Sequence, residues 1–387
     1  MICENQKIGV DIIQPIVPHY RAPLFEGLSR LHNLDLSIQC AAEWPPGDRS
    51  VAMNIADYYP KNPIKSIPGT PFVWQDNLRL IKVKKPGDVL VVCGDLHFIS
   101  NWPLIWKAKQ LGAGLIWWGH HWSATTNKWL YPVRLLLTRM IADCVLLYTR
   151  TGRDLYIDYG FPDNRVFFTG NTLDLAQIDN ALAEVTPCNL QDFKRQHDLG
   201  ENVLLFCGVL REKARLDLLL EALAQIKEFN VQLVVIGDGP YKEYYYNLAE
   251  DLGLNDSILW VGEIRSEKKL VWWYKSARIF VYPGSIGLSL MHAFAYGLPV
   301  LTHNDINNHM PEIEALRVGI NGWTYEVGSI QSLTQALKKA LAEEDLCSEM
   351  GDRAFRMIRE EYTMEKMITR FSECILACSR MALARRC

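Results

Sequence analysis

The chain has 387 residues, 49% of them hydrophobic and 22% charged. That length suffices for two α/β domains with full cores, and the composition is ordinary for a globular protein. A formal net charge of −3 argues against nucleic acid as the main partner, because binding a phosphate backbone needs a basic surface.

Ten cysteines are scattered from Cys3 to Cys387 without the paired spacing of a zinc site. Cys93 and Cys207 lie inside apolar runs, where cysteine behaves as a small hydrophobe, and Cys374 and Cys378 stand at helical spacing. These features predict a reducing cytoplasm and show no metal-ligand pattern; the expectation is no cofactor and no metal. The first fifteen residues lack the apolar core of a signal peptide, since the run at 8–13 is short and contains Asp11. The longest greasy candidate for a span, 130–147, is broken by Arg134, Arg139 and Asp143. The expectation is a cytoplasmic protein, with the inner face of the membrane as its place of peripheral contact if it has one.

Taken in order, residues 7–16 read as a first strand, Pro18-His19-Tyr20-Arg21 as the loop after it, and a helix begins near Ala22. A second strand at 34–40 leads into an irregular stretch, 42–78, rich in Pro, Trp and Tyr. Strand 88–93 ends in Gly94-Asp95-Leu96-His97, and strand 114–118 ends in Gly119-His120-His121-Trp122. Parallel sheets bind ligands beyond the carboxyl ends of their strands, so His97, His120 and His121 stand where a ligand would be. Residues 128–142 mix Lys128, Trp129, Tyr131, Arg134 and Arg139 with aliphatics. Two readings stay open there: a membrane-surface helix, or an amphipathic helix on the core. A strand at 144–148, a helix at 151–159 and a strand at 165–168 complete the first half, and the polar stretch 175–200 reads as a linker.

A new sheet starts at 202–207. The loop after it, 208–215, crowds Arg211, Lys213 and Arg215 together, and any two of them could meet an anion. A helix at 216–229 and a strand at 231–236 lead to Gly237-Asp238-Gly239-Pro240, a weak phosphate-loop signal by itself. Strand 258–264, helix 267–275 and strand 279–282 follow. Pro283 and Gly284 stop that strand, Ser285 to Gly287 form a tight loop, and a buried helix runs from Leu288 to Tyr296. Gly297 closes the helix and Pro299 forbids its continuation. The free N–H groups of Gly287, Leu288 and Ser289, with the helix dipole behind them, are suited to hold an anion. Helices at 332–342, 345–360 and 362–383 end the chain.

The segment Gly287-Leu288, Ala293 and Gly297-Leu298-Pro299-Val300 resembles, in order and spacing, the donor-site segment of the retaining family-four glycosyltransferases (glycosyl transferases group 1) of the GT-B fold. The family's two glutamate positions are occupied here by Gly284 and His292. The resemblance continues through Asn171-Thr172-Leu173-Asp174, Pro311-Glu312-Ile313 and Gly319-Ile320-Asn321-Gly322, and covers nearly the whole chain. It implies an α/β protein of two Rossmann-like doubly wound domains facing a cleft. Residues 1–175 are then the acceptor-side domain, 176–200 the linker, 201–361 the nucleotide-sugar domain, and 362–387 a helix crossing back to the first domain.

The same resemblance implies roles. Tyr20, Arg21 and His97 fall on the acceptor side, and His120 contacts the transferred sugar. The family's diphosphate-gripping arginine and lysine positions hold Val209 and Ala214, so Arg211 and Lys213 are the candidate cations. Gly284, Ser285, Gly287, Leu288, Ser289 and Glu312 surround the diphosphate and sugar. Gly262 and Ile264 hold the base through their backbone, and His292 accepts from the ribose. Gly284, lacking a side chain, is expected to leave room for a water or a different sugar. The implied reaction moves a sugar from a nucleoside-diphosphate donor, UDP- or GDP-linked, to a hydroxyl of a glycan, lipid-linked or small-molecule acceptor. It proceeds with retention and without a metal. The rival readings are a catalytically silent partner subunit and a sugar-nucleotide epimerase.

Overall fold

Parallel strands buried on both faces need apolar residues at successive positions, and each half of the chain supplies them. The computed structural model describes residues 7–44, 50–120 and 131–385. His121, Trp122, Lys128 and Trp129 lie outside the described residues.

The first strands are β1 (Ile8–Ile13), β2 (Leu34–Gln39), β3 (Tyr58–Tyr59), β4 (Ile64–Ser66), β5 (Val73–Gln75), β6 (Val89–Cys93), β7 (Gly114–Gly119), β8 (Cys144–Leu147) and β9 (Val166–Phe168). Helices α1 (Ala22–Ser29), α2 (Asn101–Gln110), α3 (Tyr131–Ile141) and α4 (Arg150–Asp158) are interleaved with them. A parallel sheet runs β3-β2-β1-β6-β7-β8-β9. Val10, Ile12, Val89, Val91, Ile116 and Trp118 line one face with α1, while Leu90, Val92, Leu115, Trp117 and Val145 line the other with α2, α3 and α4. Asp11, wholly buried in β1, is satisfied by the Ser37 hydroxyl at 2.5 Å and by the N–H groups of Ile81, Lys82 and Val83 at 2.9–3.1 Å. That latch, just past the irregular stretch 42–78, fixes the end of it against the sheet. The same stretch contains β3, β4 and β5, short strands whose sparse apolar pattern hides them in the sequence.

The second unit spans Thr172–Thr363. It contains α5 (Leu175–Ala183), α6 (Pro187–Gln196), β10 (Val203–Cys207), α7 (Leu216–Leu223), β11 (Gln232–Ile236), α8 (Lys242–Asp251), β12 (Ile258–Gly262), α9 (Glu267–Ser276), β13 (Ile279–Val281), α10 (Leu288–Ala295), β14 (Val300–His303), β15 (Gly322–Tyr325), α11 (Ile330–Ala342) and α12 (Glu344–Glu361). Its parallel sheet runs β12-β11-β10-β13-β14-β15.

The stretch expected as a linker is two helices instead. Asp174 caps α5 by accepting from the Ala176 N–H at 3.1 Å, and Thr186 with Asn189 forms a capping box on α6. Phe193 then packs against Trp272 and Trp273 of α9. A polar stretch with few apolar anchors looks like a linker until those anchors find their partners.

The last helix, α13 (Met364–Ala384), belongs with the first unit. Phe371 meets Trp118 edge-on at 4.9 Å, and Met367, Cys374 and Cys378 are buried beside it. All cysteines among the described residues are unpaired thiols. No helix among the described residues is long and apolar enough to cross a membrane.

Candidate functional site

Each large sheet has one place where the chain's direction of strand addition reverses: between β1 and β6 in the first unit, and between β10 and β13 in the second. Loops leaving the carboxyl ends of strands diverge there and open a crevice for a ligand. Several of the candidate residues lie on loops at these two places, while Gly262 ends the edge strand β12 and Ile264 follows it.

In the second unit, the loops after β10 and β13 are joined backbone to backbone. The Gly284 N–H donates to the Ala214 carbonyl at 3.0 Å, and the Ser285 N–H donates to the Lys213 carbonyl at 3.2 Å. A Cβ on Gly284 would lie 1.9 Å from the Lys213 oxygen and 2.8 Å from that of Ala214. Glycine is therefore required by close approach of two backbones. This corrects the expectation that Gly284 leaves room for a water or a sugar: the space its side chain would take is already occupied.

The same contact delivers the cations. Glu212–Ala214 is a single 3-10 turn, and Arg215 after it adopts φ 50° as the residue preceding α7. Arg215 is held by Asp217 at 2.9 Å. Arg211 and Lys213 are exposed and have no ion pair among the described residues. Of the three loop cations, the structure thus leaves these two available. The Arg211 carbonyl accepts from the Tyr245 hydroxyl at 2.8 Å, which anchors the start of the turn. Gly237-Asp238-Gly239 is scaffold: the Leu210 N–H donates to the Asp238 carbonyl at 3.0 Å, and the Leu210 carbonyl accepts from Tyr241 at 2.9 Å.

Beyond Ser285, Gly287 precedes α10, and its neighbours Leu288 and Ser289 open the first turn, where N–H groups have no intrahelical acceptor. A Cβ on Gly287 would meet Met310 at 3.1 Å and the Glu312 carboxylate at 3.7 Å. Glu312 is 4% exposed, so its carboxylate is buried beside the start of α10. The loop is also fastened from its other side. The Ile286 N–H donates to His309 Nδ1 at 3.1 Å, the Met310 N–H donates to the Ile286 carbonyl at 2.9 Å, and the Ser285 hydroxyl donates to the Asn308 carbonyl. His309 Nε2 reaches the His303 carbonyl at 2.9 Å, and the two imidazoles stack at 3.7 Å. Burial holds both below the ordinary histidine range, His303 at about 4, so His309 is neutral with its proton on Nε2.

His292, one turn into α10, is 3.0 Å from Glu267 at the start of α9. The second oxygen of Glu267 accepts from the Tyr296 hydroxyl at 2.5 Å, and Tyr274 stacks on Tyr296 at 4.6 Å. Glu267 lies three residues after Ile264, so it joins His292 to the Gly262–Ile264 turn at the end of β12. Gly262 has φ 82°, and its carbonyl accepts from the Gly237 N–H at 2.9 Å.

In the first unit, Arg21 is not a solvated loop residue. Its guanidinium lies 4.9 Å from the Trp118 ring, 5.3 Å from Tyr148 and 5.7 Å from Tyr20. His120 packs on Tyr148 with ring centroids 4.6 Å apart. The structure so brings Tyr20, Arg21 and His120 into one cluster. His97 bonds Asp95 at 2.7 Å and lies against Phe72, and none of its described contacts reaches that cluster.

Residues 189–357 match the family model for glycosyl transferases group 1. The chain is 24% identical over 225 residues to the N-acetyl-alpha-D-glucosaminyl L-malate synthase of Bacillus anthracis, a match covering 57% of this chain and 53% of that protein. It is 30% identical over 176 residues to the alpha-monoglucosyldiacylglycerol synthase of Streptococcus pneumoniae, covering 43% and 39%. The chain thus spans about half the length of the first of these curated relatives and less of the second. Among solved structures, HepE of Anabaena in complex with UDP has a TM-score of 0.67 at 14% identity, over 95% of this chain and 99% of that one. That likeness shows the fold: the two parallel-sheet α/β units are those of the GT-B glycosyltransferases.

In the second unit the sequence singles out the cationic loop, the start of α10 and His292, whereas Glu267, Tyr296 and His309 join them only through packing. A glutamate at the start of a helix reads as an ordinary first-turn acid, and only packing of α9 on α10 reveals its partner. In the first unit, Arg134 was read only as part of a helix. It donates to the carbonyls of Gly94 and His120 at 3.0 and 3.1 Å, across the ends of β6 and β7.

Proposed function

We propose that the protein transfers a sugar from a nucleoside-diphosphate donor, UDP- or GDP-linked, to an acceptor hydroxyl. The donor lies in the glycosyl transferase domain and the acceptor on the first unit. The observation that carries this reading is the backbone pairing of Gly284 and Ser285 with Ala214 and Lys213, which sets a cationic turn beside the start of α10. A leaving diphosphate develops negative charge as its bond to the sugar breaks. Fixed cations and N–H groups that need no reorganisation stabilise that charge most effectively. Arg211 and Lys213 supply the cations, and Gly287, Leu288 and Ser289 supply the N–H groups. His292 faces the ribose and Gly262–Ile264 the base, while His120 and Glu312 face the transferred sugar.

Transfer proceeds with retention and with these cations in the role a metal would otherwise play. The bond between the anomeric carbon and the diphosphate breaks, the acceptor oxygen bonds that carbon on the same face, and the acceptor proton passes to the departing phosphate oxygen. HepE was solved with UDP, which supports UDP as the first nucleotide to test. The outward face of α3 carries exposed Val133, Leu136, Leu137 and Met140 at helical spacing, while Tyr131 and Leu135 are buried beneath. That stripe supports peripheral contact with a bilayer and a lipid-linked acceptor.

The crowding at Gly284 favours a second reading, a subunit that binds nucleotide without turnover, because the family's first carboxylate has no place there. A thermal-shift screen against UDP, GDP, ADP, dTDP and CDP and their sugar conjugates tests the donor assignment. A ligand at a hundredfold excess over its Kd adds about 2.7 kcal/mol of stability to the folded state. No shift with any nucleotide would overturn the donor site. A shift with no hydrolysis or transfer of the bound sugar, across a panel of acceptors, would favour the silent subunit.

A further inference from the structure

The carboxyl edge of the first unit's sheet holds two guanidinium groups that the donor chemistry does not use. Arg21 follows β1, and Arg134 on α3 bonds the carbonyls ending β6 and β7, so both stand at the switch point of that sheet. Arg21 is surrounded by the Trp118, Tyr148 and Tyr20 rings. Its polar neighbours are Gln14 Oε1, at a long 3.4 Å, and the Tyr148 hydroxyl. The Nε atoms of both Arg21 and Arg134 are buried without a hydrogen-bond partner, and neither arginine has an ion pair among the described residues. The two positive fields overlap at Cys93, the last residue of β6, where both oppose the rise that burial imposes on its thiol. The carboxylate in that neighbourhood, Asp95, is bonded to the His97 ring and the His97 N–H.

A partly buried cation lacking an anion is costly, and ring faces offset only part of the loss of water. The planar fork of a guanidinium matches the paired oxygens of a carboxylate or phosphate, which makes charge-assisted bonds to it. We propose that this edge binds an oxyanion carried by the acceptor, a phosphate monoester or a carboxylate, at Arg21 with Arg134 adding its charge. The proposal rests on the reading of the first unit as the acceptor side and narrows the acceptor to an anionic one. Tyr20, Gln14 and the exposed His120 border the site.

The test uses the full chain with its donor site saturated by UDP, so that the probes cannot occupy the diphosphate position. Inorganic phosphate and succinate are titrated calorimetrically at constant ionic strength. Wild type is expected to bind at least one of them, Arg21→Gln to bind it about tenfold more weakly, and Arg21→Lys to fall between. UDP affinity should stay within about twofold in both variants, since the donor lies in the other unit. If Arg21→Gln unfolds, Arg21→Lys carries the comparison, because it keeps the charge and loses the fork. Equal probe binding by wild type and variants overturns the proposal, as does binding of neither probe by a protein that still takes UDP. Failure of UDP itself would strike the donor reading instead. A phosphate-only response points to a phosphate monoester, and a succinate-only response to a carboxylate.

Discussion

Replacing Gly284 by alanine should be among the most damaging single changes in the second unit, although it adds one methyl group. The new Cβ would lie 1.9 Å from the Lys213 oxygen, and 2.7 and 2.8 Å from the Ala214 carbonyl carbon and oxygen. Ordinary contact begins at 3.4 Å, so the two loops must part by about 1.5 Å at a place where both neighbours are backbone. That displacement breaks the bonds from Gly284 and Ser285 to Ala214 and Lys213. Two such bonds are worth about 2 kcal/mol, and forcing a methyl into a packed site costs about 1–3 kcal/mol more. The total, about 3–5 kcal/mol, corresponds to a fall of about 10 °C in the Tm of a unit this size. Because the parting loops carry the cations and lead to α10, UDP affinity should fall by about tenfold or more even where the fold survives. Gly284→Glu, which restores the residue of the resembled family, should be at least as harmful. Urea unfolding and UDP titration of both variants are the assays. An alanine variant within about 1 kcal/mol of wild type and with unchanged UDP affinity would refute the claim that this contact sets the site.

Arg211→Ala and Lys213→Ala should each lower turnover by about a hundredfold with little change in Tm, as expected for exposed groups that act on developing charge; near-normal rates in both would sink the assignment. His292→Glu should lose stability rather than gain activity, because it sets two carboxylates together where His292 and Glu267 now lie 3.0 Å apart. The loss should deepen as pH rises through the carboxylate range and be relieved by adding Glu267→Gln; a His292→Glu protein as stable as wild type at pH 8 would exclude this. The His303–His309 pair predicts acid sensitivity. Both are held neutral in the fold, His303 down to about 4, whereas the unfolded chain takes up protons near 6.5. Their contribution is therefore present above pH 6.5 and is lost as pH falls below it, by about 2 kcal/mol at pH 5 for His303 and in the same direction for His309. Denaturant curves at pH 7 and 5 should show this loss reduced in His303→Asn, and an unchanged slope in the variant would contradict it. Vesicles with anionic lipid should sediment the wild-type chain and release Leu136→Glu and Met140→Glu; equal sedimentation of all three would remove α3 as the contact.

Much of the fold could be read directly from the chain. Runs such as 89–93 and 203–207 are apolar at successive positions, a pattern that a doubly covered parallel strand requires and a surface strand does not. The glycine and proline stops at 283–284 and 297–299 marked α10 because they act on the local backbone alone. Local signals also erred where local composition misleads: residues 175–196 looked like a linker, and their two helices exist because Phe193 meets the tryptophans of α9.

What only the tertiary structure decided are the meetings of residues far apart in the chain. The sequence by itself determined that a glycine ends the strand before α10, but not that the Lys213 carbonyl fills the space beside Gly284. It determined that Arg211, Lys213 and Arg215 share a loop, but not that Asp217 takes the last of them. It placed His292 on a helix and Arg21 in a loop, while the Glu267 carboxylate and the aromatic cage came from other elements. Hydrophobic period and turn chemistry act over a few residues and leave their trace in order along the chain. A close backbone approach, a histidine–carboxylate contact and a caged cation arise where distant segments pack, and there distance in space has no counterpart in sequence spacing.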